Sequence, residues 1–280
     1  MFVERIDQID RLMTLPQVVF QINELVESKT SSAADLHRVI KADPALSARL
    51  LKLVNSAYYG LPGQVASLEK AVILLGVTAV KNLAIAASIE QIYKRIKLAG
   101  PFSGRDLWVH CLAVAAAARS LGQRINMSRL DEVFMAGLMH DLGLLAAAQT
   151  EPHDFAQVIH VCTTSQQRWQ AAELEILGIE HGAAGARLAE KWHFPPDMIG
   201  LLVSHHTWDR TPGRSGDMSR IIFLADTLAC HLTEGFNLTA CHQTTEPEML
   251  SDTGLTEQDL MEVWQNLPAN VENLESILHV

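Results

Sequence analysis

The stretch 137–143, GLMHDLG, places a histidine and an aspartate side by side inside a strongly apolar run. Burial of an imidazole or a carboxylate without a partner is costly, so His140 and Asp141 need a compensating group. The surrounding residues 129–149 are mostly Leu, Ala and Met and predict one continuous helix with the pair at its centre. Neighbouring residues on a helix differ by about 100° in direction, so both side chains are expected to reach one ion at the helix edge.

The rest of the chain predicts an all-α protein, because long periodic segments rich in Ala and Leu alternate with short clusters of Gly and Pro. The clearest internal boundary is AGPFSG at 99–104. We therefore predict a two-lobed architecture. Residues 1–98 form an N-terminal helical lobe, residues 99–230 form a helical bundle, and residues 231–280 form a C-terminal helical tail.

Charge and hydropathy disfavour two classes of partner. The 280 residues carry a formal net charge of −10, and basic residues form no long block. Nucleic-acid backbones and anionic membranes both attract basic surfaces, so neither is an expected partner.

The apolar stretch Ala71–Ile89 approaches the length of a membrane span, but Gly76, Lys81 and Asn82 interrupt it. It predicts two packed helices.

Cysteine spacing and the N-terminus indicate a cytoplasmic protein. Residues 1–13 lack the apolar segment of a signal peptide. The cysteines show no paired spacing and are predicted to be reduced core residues. They are Cys111, Cys162, Cys230 and Cys241.

Histidine placement is the most informative feature of the sequence. Five separate segments each bring a histidine or aspartate into an apolar helix or to its end. Imidazole and carboxylate groups from facing helices can converge on a divalent metal ion. The predicted ligands are His110, His140, Asp141, His181, His205, His206 and Asp226. They suit one or two transition-metal ions, namely iron, manganese or zinc, and no other cofactor is expected.

Each of these residues also has a simpler explanation. A single histidine in an apolar helix is often a hydrogen-bonded core residue, and Asp226 is compatible with capping a local turn or with pairing with Arg220 across the helix. The pair His205–His206 suits a solvated helix end, where the helix dipole favours positive charge. Together the residues are also compatible with a metal-free hydrogen-bond network, which would make the protein insensitive to chelators.

The order of these motifs resembles that of the HD superfamily of metal-dependent phosphohydrolases. His181 and the pair His205–His206 are similar to the two-metal variety found in HD-GYP proteins. Over about residues 12–230 the chain resembles the HDOD family, through segments such as IKADPALSARLLKLVNSAYYG, FMAGLMHDLG and ILGIEHGAAGARLAEKWHFPPDMIGLLVSHH. The resemblance implies an N-terminal helical lobe, an HD-type bundle at 99–230 and a role as a bacterial regulatory module. Most members of that family are thought not to be catalytic.

Two departures from active relatives bear on catalysis. Leu144 occupies the position of the lysine in the HDxGK motif, and leucine offers no cation to a phosphate. His206 is followed by TWDRTPGRSGD, with neither the glutamate nor the GYP loop of HD-GYP proteins. Hydrolysis of cyclic di-GMP is therefore disfavoured. The remaining candidate phosphate-binding cations are Arg105, Lys191, Arg210 and Arg214.

Two functions remain open at this point. The favoured one is a non-catalytic signalling or regulatory module that meets a signalling protein in trans, through Tyr58–Tyr59 or the groove between the lobes. Tyr58 and Tyr59 would equally suit a packed turn. The alternative is a metal-dependent phosphohydrolase acting on a nucleotide or phosphoester. A homo-oligomer is compatible with both.

Overall fold

The computed structural model describes residues 17–27, 33–55, 63–98, 100–207, 214–232 and 235–278. Over these residues the regular secondary structure is entirely helical, which confirms the all-α prediction. The helices are α1 Gln17–Glu27, α2 Ala33–Lys41, α3 Pro44–Val54, α4 Leu68–Leu75, α5 Val77–Tyr93, α6 Gly104–Arg124, α7 Leu130–Met139, α8 Leu142–Thr150, α9 Pro152–Ser165, α10 Trp169–Ile176, α11 His181–Lys191, α12 Pro196–Ser204, α13 Arg214–Cys230, α14 Pro247–Thr253 and α15 Glu257–Leu278. Tyr58, Tyr59 and Arg210 lie outside the described residues.

Helices α1–α5 pack together as an N-terminal group. Asp43 caps α3, where its carboxylate accepts the backbone N–H groups of Ala45 and Leu46 at 3.0 Å each. The apolar segment 71–89 is divided at Gly76, which ends α4 and precedes α5 with a φ of 85°. This confirms the two-helix prediction. Over the described part of the chain, none of the helices combines the length and apolarity that a bilayer span requires.

Helix α6 is the centre of the second group. Ser103 and Asp106 form a reciprocal capping box at its start. Its alanine-rich middle packs against α7 and α13. The approach of α7 is close, since a Cβ atom added at Gly137 would lie 2.6 Å from the Cα of Ala115. Small residues on both helices therefore allow His110 on α6 and His140 at the end of α7 to come close together.

The predicted single helix over 129–149 is wrong, because the chain breaks at the histidine–aspartate pair. Helix α7 ends at Met139 and α8 begins at Leu142. Asp141 has φ −95° and ψ 21°, outside the helical basin. The pair consequently lies at a corner between the buried helices α7 and α8. At this corner its side chains can face α6 and α11.

The C-terminal region is integral to both groups of helices. Helix α15 packs along α6 and also against α3. Lys52 donates to the carbonyl of Ser276 at 2.9 Å, and Arg105 forms a two-pronged pair with Glu275 at 2.6 and 2.8 Å. The helix continues through Pro268. The C-terminal helix thus connects the N-terminal group of helices to the second group.

The cysteine prediction is correct for three residues and wrong for one. Cys111, Cys162 and Cys230 are buried, as expected for core residues. Cys241 is exposed because it lies in the irregular segment between α13 and α14, beyond the packed helices. All four are free thiols.

The bridging position of α15 predicts that the two lobes unfold together. Leu274→Ala removes a fully buried side chain and should cost about 2–5 kcal/mol of unfolding free energy. Met261→Ala on the same helix removes a side chain that is 53% exposed and should change it little. Denaturant unfolding monitored by circular dichroism measures both. A separate early transition in Leu274→Ala, with the main transition unchanged, would contradict the bridging role.

Candidate metal centre

The seven predicted ligands meet at one place inside the bundle. Helix α6 supplies His110, the corner between α7 and α8 supplies His140 and Asp141, and α13 supplies Asp226. His181 begins α11, while His205 and His206 follow the end of α12. Six of the seven are buried, and the side chain of His206 is the most exposed of the set, at 11%. The structure therefore brings together every residue of the predicted set.

One group of ligand atoms surrounds the Oδ2 atom of Asp141. The Nε2 atoms of His110 and His140 lie 3.4 and 3.2 Å from this oxygen and 3.3 Å from each other. Asp226 completes the group, with its Oδ1 atom 3.2 Å from Nε2 of His110. Two imidazoles and two carboxylates thus point at one small volume.

A second group surrounds the other carboxylate oxygen of Asp141. Its Oδ1 atom lies 3.2 Å from Nε2 of His181 and 3.7 Å from Nε2 of His205. Nε2 of His181 is in turn 3.2 Å from that of His205 and 2.8 Å from that of His206. Since each oxygen of Asp141 faces its own set of imidazoles, this carboxylate is placed to bridge two positions.

The hydrogen bonds behind the histidines determine which nitrogen is free. Nδ1 of His140 lies 2.7 Å from the carbonyl of Gly137, and Nδ1 of His205 lies 2.7 Å from the carbonyl of Leu202. A carbonyl oxygen can only accept, so each Nδ1 donates and each neutral ring has its lone pair on Nε2. These lone pairs face the centre, where neither oxygen of Asp141 has a hydrogen-bond donor among the described residues. Such a donor set fits a divalent cation.

The electrostatics of the centre favour a cation. Burial opposes a charge on His110, but Asp141 and Asp226 outweigh it and raise its pKa to about 9. Burial likewise opposes the charge of Asp141, while His140, His110 and His181 lower its pKa well below the usual value. Burial lowers the pKa of His205 and of His206. The Asp141 carboxylate consequently stays ionised, and without a metal it faces a protonated His110 on one side and the neutral imidazoles of His205 and His206 on the other.

The structure rejects one alternative explanation. Arg220 lies 3.4 Å from Asp217, one turn earlier on α13, and does not balance the charge of Asp226. His205 and His206 do follow a helix end, as predicted, but this end turns inward to the centre. The groups in contact with the Asp226 carboxylate instead include His110 at 3.2 Å and Gln243 at 3.3 Å.

The sequence prediction missed two residues that position ligands. Glu173 on α10 is fully buried and accepts both the backbone N–H and the Nδ1–H of His181, at 3.0 and 2.7 Å. Its spacing from Trp169 and Ala172 places it on the buried face of the helix, and this periodicity could have found it. The amide of Gln243 contacts Nδ1 of His206 and donates to Oδ2 of Asp226 at 3.3 Å. Gln243 lies in a loop, and no local pattern marks it.

An open cavity of about 730 Å³ reaches the centre at His206. Its lining includes one arginine, Arg168, and two carboxylates, Glu180 and Glu246. Among the predicted phosphate-binding cations, Arg105 pairs with Glu275 on the surface. Lys191 is not part of the cavity lining, and the side chain of Arg214 is outside the described residues. The described entrance is therefore poor in positive charge.

Known proteins resemble this chain in sequence and in fold. The sequence profile of the HDOD domain matches residues 12–208. An uncharacterized protein of Treponema pallidum is 23% identical over 207 residues, which cover 74% of this chain. The match covers only 40% of that curated relative.

Three solved structures share the fold. An HDOD domain protein of unknown function from Geobacter sulfurreducens has a TM-score of 0.82 at 22% identity, with 99% of this chain and 96% of that one covered. A Shewanella amazonensis protein provisionally named a phosphohydrolase has a TM-score of 0.74 at 21% identity, with 99% and 97% covered. The MmoQ response regulator of Methylococcus capsulatus has a TM-score of 0.51 at 26% identity, with 90% and 98% covered.

The glycine after the histidine–aspartate pair is predicted to be essential for the centre. A Cβ atom at Gly143 would lie 1.9 Å from the carbonyl oxygen of His181, so Gly143→Ala must push α8 away from α11. We expect a loss of about 1–3 kcal/mol of stability and weaker metal binding. Gly200→Ala is the control, since no atom lies within 4 Å of a Cβ there. Thermal unfolding and metal titration measure both, and equal behaviour of the two variants would refute the packing argument.

Glu173 is predicted to support metal binding without being a ligand. Glu173→Ala removes the acceptor that orients His181, and loss of such a partner typically weakens metal affinity by about 10–100-fold. Glu175→Ala, two residues away on the exposed side of α10, should leave affinity unchanged. Competition with a chromogenic chelator measures both values. Unchanged affinity in Glu173→Ala would mean that His181 does not bind the metal.

Proposed function

Because the chain belongs to the HDOD family, we propose that it is a bacterial signalling module built around a metal centre, without hydrolytic activity of its own. The proposal has two parts. The first concerns the occupancy of the centre by one or two ions of iron, manganese or zinc. The second concerns the use of the centre in regulation and not in turnover.

The observation that carries the first part is the environment of Asp141. Its two buried oxygens lack hydrogen-bond donors from the described ranges and face two separate sets of imidazole nitrogens. Hydrogen bonds behind His140, His181 and His205 fix those rings with Nε2 toward the centre. Bound ions would supply Lewis acidity and an activated water in such a site. The protein's own residues hold the ligands and keep bulk water out.

Two features support a regulatory use. Leu144 is fully buried, so the position of the expected lysine belongs to the apolar core. The cavity at His206 offers one arginine against two carboxylates, which suits an anionic phosphate poorly. The response regulator MmoQ is 26% identical to this chain, and its name is compatible with a signalling role.

The second candidate is a metal-dependent phosphohydrolase acting on a nucleotide or phosphoester. The position of Asp141 between two ligand groups favours it, since two-metal sites clamp transferring phosphoryl groups. The cavity that reaches His206 would admit a substrate of moderate size. This candidate ranks second because the described entrance has few cations to bind a phosphate.

The expected setting is the cytoplasm, with a signalling protein as partner in trans or a second copy in a homo-oligomer. The net charge of −10 gives no support to nucleic acid or an anionic membrane as partner.

Elemental analysis of tag-free protein tests the centre. We expect one or two equivalents of iron, manganese or zinc in the wild type. His140→Ala should lose at least one equivalent and keep a folded circular dichroism spectrum. His153→Ala on α9 is the matched control, because this exposed histidine lies outside the ligand groups. No metal in the wild type after reconstitution would refute the metal centre.

The same proteins separate the two functions. We expect no turnover of phosphomonoesters, nucleotides or cyclic dinucleotides with added Mn²⁺ or Fe²⁺. We also expect the set of proteins captured by the wild type to change in His140→Ala. Metal-dependent turnover abolished by His140→Ala would favour the hydrolase, and capture that is unaffected by loss of the metal would count against a regulatory role of the centre.

A further inference from the structure

Cys230 lies one helical turn beyond Asp226 on α13, in the segment ADTLAC. Residues four apart share one face of a helix, so both side chains point to the same side of α13. Asp226 is fully buried and Cys230 is buried. The Sγ atom of Cys230 lies 3.9 Å from the Oδ1 atom of Asp226. That oxygen is the one that lies 3.2 Å from Nε2 of His110.

We propose that Cys230 is an additional ligand of the ion held by His110 and Asp226, and that its sulfur biases the centre toward zinc, cobalt or ferrous iron over manganese and magnesium. This inference rests on the proposed metal centre and adds a residue to its ligand set. Thiolate ligands prefer softer ions, whereas sites made only of carboxylates and water suit magnesium and manganese.

The distances between these ligand atoms match a coordination sphere. Tetrahedral zinc with ordinary bond lengths separates a sulfur from an oxygen ligand by about 3.6 Å and a nitrogen from an oxygen by about 3.4 Å. The observed separations are 3.9 and 3.2 Å. The ligand atoms of His110, Asp226 and Cys230 all lie within 4.8 Å of one another. A small adjustment therefore suffices to enclose an ion.

A second observation points to an ion at this place. Oδ2 of Asp141 is buried, has no hydrogen-bond donor in the part of the chain that the structure describes and lies 3.4 Å from Nε2 of His110. The position thus carries two carboxylates, and the described groups around them are imidazoles, the Cys230 thiol and the Gln243 amide. When an ion binds, the S–H bond of Cys230 breaks, its proton passes to solvent and a metal–sulfur bond forms, with no change of oxidation state.

Cobalt(II) spectroscopy tests the proposal on the full chain. Metal-free protein is titrated with Co²⁺, and the bound cobalt is counted by equilibrium dialysis. We expect a thiolate-to-cobalt charge-transfer band in the near ultraviolet for the wild type. Cys230→Ser should lose the band but keep bound cobalt, and its preference for Zn²⁺ over Mn²⁺ should fall at least tenfold. Cys162→Ser should keep the band, because this buried cysteine on α9 is outside the ligand groups.

The outcomes distinguish this inference from the proposed function. Bound cobalt without a charge-transfer band in the wild type would overturn the role of Cys230 and leave the metal centre intact. A band that persists in Cys230→Ser would do the same. Wild-type protein that binds no cobalt, zinc or iron would refute the centre and the inference together. Absence of the band in the wild type decides against Cys230 even if a variant folds poorly.

Discussion

The carboxylate of Asp141 is the constraint on which the bundle depends. An ionised carboxylate with no exposed surface is costly unless positive charge or hydrogen bonds compensate it, and here the surrounding groups are imidazoles from four different segments. To bring those imidazoles within 4 Å, the backbones must approach one another closely. Gly137 permits the contact with α6, and Gly143 permits the contact with α11. The stretch GLMHDLG therefore contains both the buried charge of Asp141 and the two glycines that let the compensating helices approach it.

Much of the centre could be predicted from sequence, because burial of histidine and aspartate in apolar helices is unfavourable unless they share a partner. That reasoning finds the residues but not their surroundings. The helix break at Asp141 was not predictable, since the composition of 129–149 favours continuous helix and only tertiary contacts bend it. The pairing of Glu173 with His181 crosses eight residues and an irregular turn. Helical phase identifies Glu173 as buried but does not name its partner.

The same limit applies to the organisation of the chain. Composition and turn residues predict the helical class and the division of 71–89 into two helices at Gly76. The polar composition of 231–280 suggests a tail, whereas the structure packs α15 against α3 and α6. A helix with one apolar stripe and many charges gives no indication of which surface it covers. The distinction depends on contacts between residues more than 150 positions apart, such as Arg105 and Glu275.

The position of α6 has a consequence for the molecule as a whole. This helix carries His110 on one side and receives α15 on another, and α15 is also in contact with the N-terminal lobe. A rotation between the lobes that shifts α6 would change the distance from His110 to Asp141 and Asp226. Linkage is reciprocal, so an occupant that fixes this distance also favours one arrangement of the lobes, by the same free energy. Metal occupancy and the arrangement of the helices around α6 and α15 would thus be coupled.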